Sequence, residues 1–243
     1  MSRPIENLPQ TVTHVLLDLD GTLSDSSVGI ARSLQYAFTT CGYEPPTDEQ
    51  VRAVIGPPFE VSFPTLGIPH DDIDRVVQAY RFRYEDIGLF ENEVYPGIGE
   101  MLDELVGCGY TLSLATAKPQ QTAVRIVEHF GFTSYFELQA GATIEVGSAR
   151  RTKAEVITYA LGELGVLAED GSLASSGDGH HIVMIGDRDH DVEGALHNGI
   201  DCIGVTWGFG SHAELTDAGA AVLVDSPADV AAAVATTYRS RRP

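Results

Sequence analysis

The stretch HVLLDLDGTL, residues 14–23, joins a short apolar run to two carboxylates and a glycine. An apolar run bounded by turn residues is typical of a buried strand, so we predict a strand over His14–Asp20. Residues two apart in an extended strand point the same way, so Asp18 and Asp20 can reach one site. The strand therefore carries a pair of carboxylates to its end.

Further apolar runs along the chain alternate with amphipathic helical patterns. The predicted strands are Thr111–Thr116, His181–Asp187, Cys202–Trp207 and Ala221–Asp225. The predicted helices are Gly97–Gly107, Gln120–Phe130, Lys153–Leu164, Asp189–Asn198 and Pro227–Val234. This alternation predicts an α/β fold built on a doubly wound, mostly parallel, Rossmann-like sheet.

One segment, Ser26–Tyr95, breaks the alternation because it holds no convincing strand. Its patterns predict three helices and a breaker-rich loop: Gly29–Thr40, Asp48–Val54, the loop Gly56–Pro69, and Asp71–Asp86. A segment of this size is too long for a simple loop. We therefore predict a helical cap domain, residues 26–95, inserted into a core domain formed by residues 1–25 and 96–243.

The composition narrows the class of function. With 35 acidic and 15 basic residues in 243, the formal charge is −20, which disfavours nucleic acid and anionic membranes as partners. Three scattered cysteines fit a reducing compartment, and the polar N-terminus does not read as a signal peptide, so we expect a cytoplasmic location. No apolar run reaches the length of a membrane span. The oligomeric state is left open.

The candidate site follows from the sheet, because ligands of an open parallel sheet bind beyond the carboxyl ends of its strands. That edge collects Asp18, Asp20, Thr116, Lys153, Asp187 and Asp191. Clustered carboxylates need a counter-cation, and oxygen donors of this kind suit Mg²⁺. With the charge screened, one carboxylate can attack phosphorus while Thr116 and Lys153 hold the phosphoryl oxygens.

These residues resemble a known family. The string DLDGTL at 18–23, Thr116, Lys153 and GDRDHD at 186–191 resemble the four ordered motifs of haloacid dehalogenase superfamily phosphatases. Longer strings, among them IGPPFEVSF and ATAKP, resemble the phosphoglycolate phosphatase-like branch, which also contains chains described as 5′-nucleotidases.

The resemblance implies a role for each residue of the edge. Asp18 would form an aspartyl-phosphate, and Asp20 would protonate the leaving alcohol and then deprotonate the hydrolytic water. Mg²⁺ would sit on Asp18, the backbone carbonyl of Asp20 and Asp187, with Asp191 as a second-shell or water-mediated partner. Thr116, Lys153 and the backbone N–H of Ala117 would hold the phosphoryl group of a small metabolite, and a loop with Gly56 and Pro57 would reach toward it.

Other readings stay open or are disfavoured. A phosphomutase of the same superfamily is one alternative, and a non-hydrolytic, receiver-like module that accepts a phosphoryl group is another, although a receiver is about half this length and lacks the insertion. The histidines His180, His181 and His190 are taken as part of a mostly solvated stretch, and the Gly208–Gly210 segment as a loop near the site. Lys118 and Lys153 are the only two lysines, against 13 arginines.

Overall fold

The computed structural model describes residues 14–55, 59–143, 150–167, 173 and 181–240. Its strands are β1 (His14–Leu17), β2 (Ser24–Asp25), β3 (Glu93–Val94), β4 (Thr111–Pro119), β5 (Phe136–Ala142), β6 (Ile182–Gly186), β7 (Asp201–Val205) and β8 (Val222–Val224). Its helices are α1 (Ser27–Thr40), α2 (Asp48–Val54), α3 (Phe59–Thr65), α4 (Ile73–Asp86), α5 (Ile98–Gly107), α6 (Gln120–His129), α7 (Lys153–Glu163), α8 (Asp189–His197), α9 (His212–Ala218) and α10 (Val230–Ser240).

Six strands form one sheet in the order β5-β4-β1-β6-β7-β8, and every neighbouring pair is parallel. From β1 the chain builds outward through β4 and β5 and then returns to β6 on the other side of β1. The strand order therefore reverses at β1, and this reversal opens a crevice at the carboxyl ends of β4, β1 and β6. The predicted doubly wound, mostly parallel sheet is confirmed.

The two faces of the sheet bury two separate hydrophobic clusters. Along β1, Val15 and Leu17 join one cluster and Leu16 joins the other, as the two-residue period of a strand requires. Residues of α5, α6 and α10 fill the first cluster, and residues of α7 and α8 fill the second. Because both faces are covered, β1 and β6 are apolar along nearly their whole length.

Between β1 and β4 lies the helical insertion, which we define as residues 27–90 and which contains α1 to α4. Helix α1 packs against α4, and Phe38 and Phe63 meet edge to face in the interior. The chain leaves and re-enters the sheet domain through a two-stranded antiparallel ribbon of β2 and β3. Strand β3 lies inside the segment predicted to hold no strand, so that expectation was wrong at this short pairing.

Three other elements differ from expectation. Helix α3 occupies part of the predicted loop Gly56–Pro69 and contains Pro64. Strand β5 and helix α9 were not predicted, although β5 completes one edge of the sheet. Most of the loop Ala168–His181 lies outside the described residues. None of the helices described in the structure combines the length and apolar character that crossing a bilayer requires.

Candidate active site

The two carboxylates after β1 each face a lysine. Asp18 directly follows β1, and its backbone N–H donates to Ile185 of β6, so it stays in line with the sheet. Its carboxylate lies 2.7 Å from Lys153 Nζ, whereas the Asp20 carboxylate lies 2.7 Å from Lys118 Nζ. The pairing of Asp18 and Asp20 at one edge, expected from the strand period, is present in the structure.

Lys153 is the first residue of α7, and its side chain is only 1% exposed. The hydroxyl of the preceding Thr152 accepts a hydrogen bond from the Glu155 backbone N–H, and the Glu155 carboxylate accepts one from the Thr152 backbone N–H. This reciprocal pair fixes where the helix begins. Lys153 Nζ is 2.6 Å from Asp191 as well, and it donates to the carbonyl of Ala115 at 3.1 Å. One buried ammonium thus serves two carboxylates. Although burial works to lower it, these carboxylates raise the pKa of Lys153 above its ordinary value.

The end of β4 supplies the side of the site opposite α7. Thr116 is buried, and its hydroxyl oxygen accepts a hydrogen bond from the Lys118 backbone at 3.2 Å. Thr116, Ala117 and Lys118 all line the same cavity as Asp18 and Asp20. The register of β4 against β5 is irregular between Thr116 and Pro119, which turns consecutive residues toward this cavity.

After β6 the chain brings two more buried carboxylates to the cluster. Asp191 accepts hydrogen bonds from the backbone N–H groups of Asp187 and Arg188, at 3.1 and 3.0 Å. Asp187 accepts from the Thr22 hydroxyl at 3.2 Å and from the Phe209 backbone at 2.8 Å. The Phe209 contact also shows that the Gly208–Gly210 segment lies at the site, as predicted.

The cluster carries more negative than positive charge. Burial, together with the carboxylates of Asp191 and Asp18, raises the pKa of Asp187 to about 8. Burial also raises the pKa of Asp18, against the effect of Lys153. For Asp191, burial again raises the pKa, but Lys153, His190 and a backbone N–H together outweigh burial and lower it. Among the described residues no ammonium pairs with Asp187 as Lys153 pairs with Asp191.

His190 belongs to this cluster, contrary to the expectation that it lies in a solvated stretch. One ligand atom each of Asp18, His190 and Asp191 falls within 4.8 Å of the other two. Burial lowers and Asp191 raises the pKa of His190, with a net rise. The signal that could have found it is its place one residue before Asp191, in the first turn of α8.

The residues present fit a hard divalent cation such as Mg²⁺. The donors are mostly carboxylate oxygens, the type such ions prefer. Two observations indicate missing positive charge: the raised pKa of Asp187, and Asp20 Oδ1, which is buried without a hydrogen-bond partner among the described residues. Asp187 stands outside the 4.8 Å group of Asp18, His190 and Asp191, although burial and the neighbouring carboxylates raise its pKa.

The cavity above these residues is bordered by the helical insertion and has a volume of about 180 Å³. The sheet contributes Asp18, Asp20 and Thr116, and the insertion contributes an apolar and aromatic wall: Ile30, Val54, Ile55, Phe59, Val77, Tyr80 and Tyr84. The Arg188 side chain links the insertion to the sheet domain. It donates to the carbonyl of Ile55 at 2.7 Å and forms an ion pair with Glu214. Gly56 and Pro57, predicted to face the substrate, lie outside the described residues.

Comparison with known proteins finds the same arrangement elsewhere. Residues 15–205 match the family model described as haloacid dehalogenase-like hydrolase. A 5′-nucleotidase of Pseudomonas aeruginosa is 41% identical over 203 residues, covering 83% of this chain and 86% of that protein. A phosphoglycolate phosphatase of Agrobacterium fabrum is 28% identical over 214 residues, covering 86% and 84%.

Two further matches extend the comparison. The tyrosine-protein kinase PtkA of Mycobacterium tuberculosis is 37% identical over 196 residues, which cover 81% of this chain but 62% of that longer protein. The crystal structure of a predicted phosphatase from Clostridium acetobutylicum superposes with a TM-score of 0.81 at 35% identity, covering 92% of this chain and 98% of that one. The fold is thus shared over nearly the whole chain.

Proposed function

Because the chain belongs to the haloacid dehalogenase-like hydrolase family, we propose that it is a phosphatase that hydrolyses the phosphomonoester of a small metabolite through an aspartyl-phosphate on Asp18. The observation that carries this proposal is the buried pairing of Asp18 with Lys153 beside Thr116, at the carboxyl end of the central strand. The relatives named as phosphatases and as a nucleotidase support the same class of reaction.

In the proposed reaction Asp18 is the nucleophile. One of its carboxylate oxygens forms a bond to phosphorus while the bond from phosphorus to the leaving oxygen breaks. Lys153 holds Asp18 at 2.7 Å and favours its ionised form, and Thr116 and the Ala117 backbone N–H line the same cavity to bind phosphoryl oxygens. In this proposal Lys153 contacts the nucleophile Asp18 and also binds the phosphoryl group that Asp18 attacks.

Asp20 is the proposed acid and base. It gives a proton to the leaving oxygen when Asp18 becomes phosphorylated, and it takes a proton from the water that later attacks the aspartyl-phosphate. Its position two residues beyond Asp18 places both carboxylates on the same cavity. The proton is returned to Asp20 in the second step, so the residue ends the cycle as it began.

Mg²⁺ is the proposed cofactor, held by Asp18, the backbone carbonyl of Asp20 and Asp187. When bound, it supplies positive charge that lets an anionic phosphoryl group approach carboxylates. A positive charge would most directly stabilise the ionised form of Asp187, because burial and the neighbouring carboxylates raise its pKa. Asp191 is already engaged by Lys153 and two backbone N–H groups, so we assign it to orienting Lys153 and the 187–188 turn, one step removed from the metal.

We propose that the helical insertion acts as a cap domain, residues 26–95, over a core domain of residues 1–25 and 96–243. A cap keeps bulk water from the aspartyl-phosphate and shapes the space for the leaving group. Gly56 and Pro57 are retained as proposed contacts to that group. A cytoplasmic location and the exclusion of nucleic acid stay predictions from composition.

The substrate we propose is phosphoglycolate-like or nucleoside monophosphate-like, the two classes that the names of the relatives support. A phosphomutase, which returns the phosphoryl group to its substrate, stays an alternative within the family. A receiver-like module would keep its aspartyl-phosphate without turnover. A kinase reaction is stated only in the name of a longer relative, so ATP enters the test as one of the compounds offered.

The test measures phosphate released from p-nitrophenyl phosphate, phosphoglycolate, nucleoside monophosphates and ATP in the presence of Mg²⁺. We expect Asp18→Asn to lower kcat on the order of 10³-fold or more, because the amide is no nucleophile. Asp103→Asn is the matched control, since that carboxylate binds Tyr135 on an exposed surface and should leave kcat unchanged. Full activity of Asp18→Asn would refute the mechanism, and a stable phosphoprotein without turnover would favour the receiver reading.

A further inference from the structure

Each of the two lysines of the chain pairs with one carboxylate of the DLD sequence. Only Lys153 has a role in the reaction proposed above. Lys153 faces Asp18, and Lys118 faces Asp20. The Lys118 side chain is 6% exposed, and its Nζ lies 2.7 Å from Asp20 Oδ2. A second buried lysine at the proposed acid and base calls for a function of its own.

The backbone around Lys118 is held by packing rather than by any ligand. Its carbonyl lies so close to Gly141 that a Cβ at that position would come within 2.8 Å of it. The neighbouring Gln120 side chain bonds the β5 backbone twice, donating to Gln139 at 2.6 Å and accepting from Gly141 at 2.7 Å. The start of the Lys118 side chain is therefore fixed in the folded protein.

The far end of Lys118 meets the helical insertion. Its ammonium lies 5.0 Å from the ring centroid of Tyr84, within the range of a cation–π contact. Tyr84 stacks on Tyr80 at 5.2 Å, and Phe59 packs edge to face on Tyr80 at 4.7 Å. Lys118 therefore bridges Asp20 of the sheet and an aromatic stack that belongs to the insertion.

This bridge makes the two oxygens of Asp20 unequal. Oδ2 is taken by Lys118, and Oδ1 is buried with no hydrogen-bond partner among the described residues. Asp20 lines the cavity together with Thr116, so Lys118 holds a carboxyl group that borders the space for the substrate.

We propose that Lys118, held by Tyr84, is a positioning residue that fixes the Asp20 carboxyl group for proton exchange with the leaving oxygen. The proposal rests on the proposed phosphatase function. In the first step the Asp18–phosphorus bond forms, the bond to the leaving oxygen breaks, and the electron pair left on that oxygen takes the proton from the Asp20 carboxyl group. Lys118 stays protonated throughout. Because Tyr84 comes from the insertion, the alignment is complete only when the insertion covers the site.

The dependence on the leaving group tests this role. A simple alkyl phosphate such as glycerol 2-phosphate needs a proton at its leaving oxygen, whereas p-nitrophenolate leaves without one. For Lys118→Met we expect kcat/KM to fall on the order of 10²-fold for the alkyl ester, the range of general acid catalysis, and at least about tenfold less for the p-nitrophenyl ester. Asp20→Asn should show the same selective pattern.

Lys153→Met is the matched control, because it removes the other lysine, which faces the phosphoryl group common to both esters. It should lower kcat/KM for the two esters by similar factors. Tyr84→Leu should reproduce the selective pattern in weaker form, and Tyr84→Phe, which keeps the ring, should not. If circular dichroism shows that Lys118→Met does not fold, the Tyr84→Leu and Tyr84→Phe variants provide the test.

Equal losses on both esters for Lys118→Met, or for Tyr84→Leu in its place, would overturn the positioning role while leaving the phosphatase function intact. A wild-type protein that releases phosphate from neither ester, nor from phosphoglycolate or a nucleoside monophosphate, would instead refute the proposed function itself. The two failures are therefore distinguishable in one set of measurements.

Discussion

At the scale of single residues, the site is governed by how few positive charges serve its carboxylates. Lys153 lies between Asp18 and Asp191, and Lys118 pairs with Asp20, whereas in the part of the chain that the structure describes the hydrogen bonds to Asp187 come from neutral donors. A buried carboxylate without a cation becomes protonated or recruits one. The residues proposed to hold the phosphoryl group thus leave one position, Asp187, where a divalent cation would supply positive charge.

Gly21 shows how tightly the backbone surrounds that position. Its φ of +82° is unfavourable for residues with a side chain, and a Cβ there would lie 2.1 Å from Asp187 Oδ2. We expect Gly21→Ala to lower the free energy of unfolding by more than the ~1–2 kcal/mol of left-handed strain. We also expect it to lower kcat on the order of 10²-fold, because Asp187 must move. Chemical denaturation and steady-state kinetics measure the two effects.

Gly42 provides the control for Gly21. It has a similar φ of +80°, but a Cβ there would meet nothing within 4 Å. Gly42→Ala should therefore show the strain alone, with kcat unchanged. Equal effects of the two substitutions on kcat would mean that the Gly21 contact with Asp187 has no catalytic consequence.

At the scale of elements, the start of α7 links helix stability to the site, because the residue after the N-cap is Lys153 itself. The Thr152 hydroxyl accepts from the Glu155 backbone at 3.3 Å. We expect Thr152→Ala to lower the free energy of unfolding by ~1 kcal/mol. It should also lower kcat/KM, since fraying of the first turn releases Lys153 from Asp18 and Asp191.

Thr47 offers the same chemistry away from the site. It begins α2 with the same reciprocal pattern, accepting from the Gln50 backbone at 3.3 Å. Thr47→Ala should lower stability by a similar amount and leave kcat/KM near the wild-type value. If both variants kept wild-type kcat/KM, the N-cap of α7 would be structural only.

The elements that could be predicted from the sequence are those with a strong apolar period. The central strands and helices α5 to α8 were found because they are buried on a regular stripe or on both faces. Strand β5, FELQAGA, has few β-branched residues and a mixed burial pattern, so it lacked a strand signal. Helix α3 was hidden by Pro64 within it, and the β2–β3 ribbon is too short to produce any period.

The residues of the site also separate into those that the sequence predicts and those that it does not. Asp18, Asp20, Thr116 and Asp187 follow strands, so the rule that ligands bind at strand ends brings them together. Lys153 and Asp191 lie at the starts of helices that meet the same edge. The pairing of Lys118 with Asp20 and the approach of Tyr84 depend on an irregular register and on the docking of the insertion. Neither is encoded in a local pattern. His190, in contrast, was missed although its place beside Asp191 in the first turn of α8 is a local signal.

At the scale of the whole molecule, the charge of −20 and an anionic substrate stand in apparent conflict. The long-range field of the protein repels phosphate, but it attracts divalent cations. A bound cation then reverses the sign of the local field, which is where the substrate binds. Under the proposed function, the global charge would attract the metal and the local site would use it to bind the anionic substrate.

The affinity for Mg²⁺ should accordingly depend on ionic strength. Between 0.01 and 0.15 M salt the Debye length shrinks from about 30 Å to about 8 Å, so distant acidic residues cease to contribute. We expect the Kd for Mg²⁺, measured by calorimetric titration of the metal-free protein, to rise several-fold over this range. Phosphatase activity should vanish with a chelator and return with Mg²⁺.

Asp187→Asn separates the site from the surrounding field. It removes one charge of the proposed ligand set, and we expect it to weaken Mg²⁺ binding at every salt concentration while the slope of log Kd against log salt changes little. Asp103→Asn removes the same formal charge at a surface carboxylate and should leave Kd almost unaltered. A Kd independent of salt would show that the acidic surface has no part in recruiting the metal. Wild-type affinity in Asp187→Asn would remove that residue from the proposed metal site.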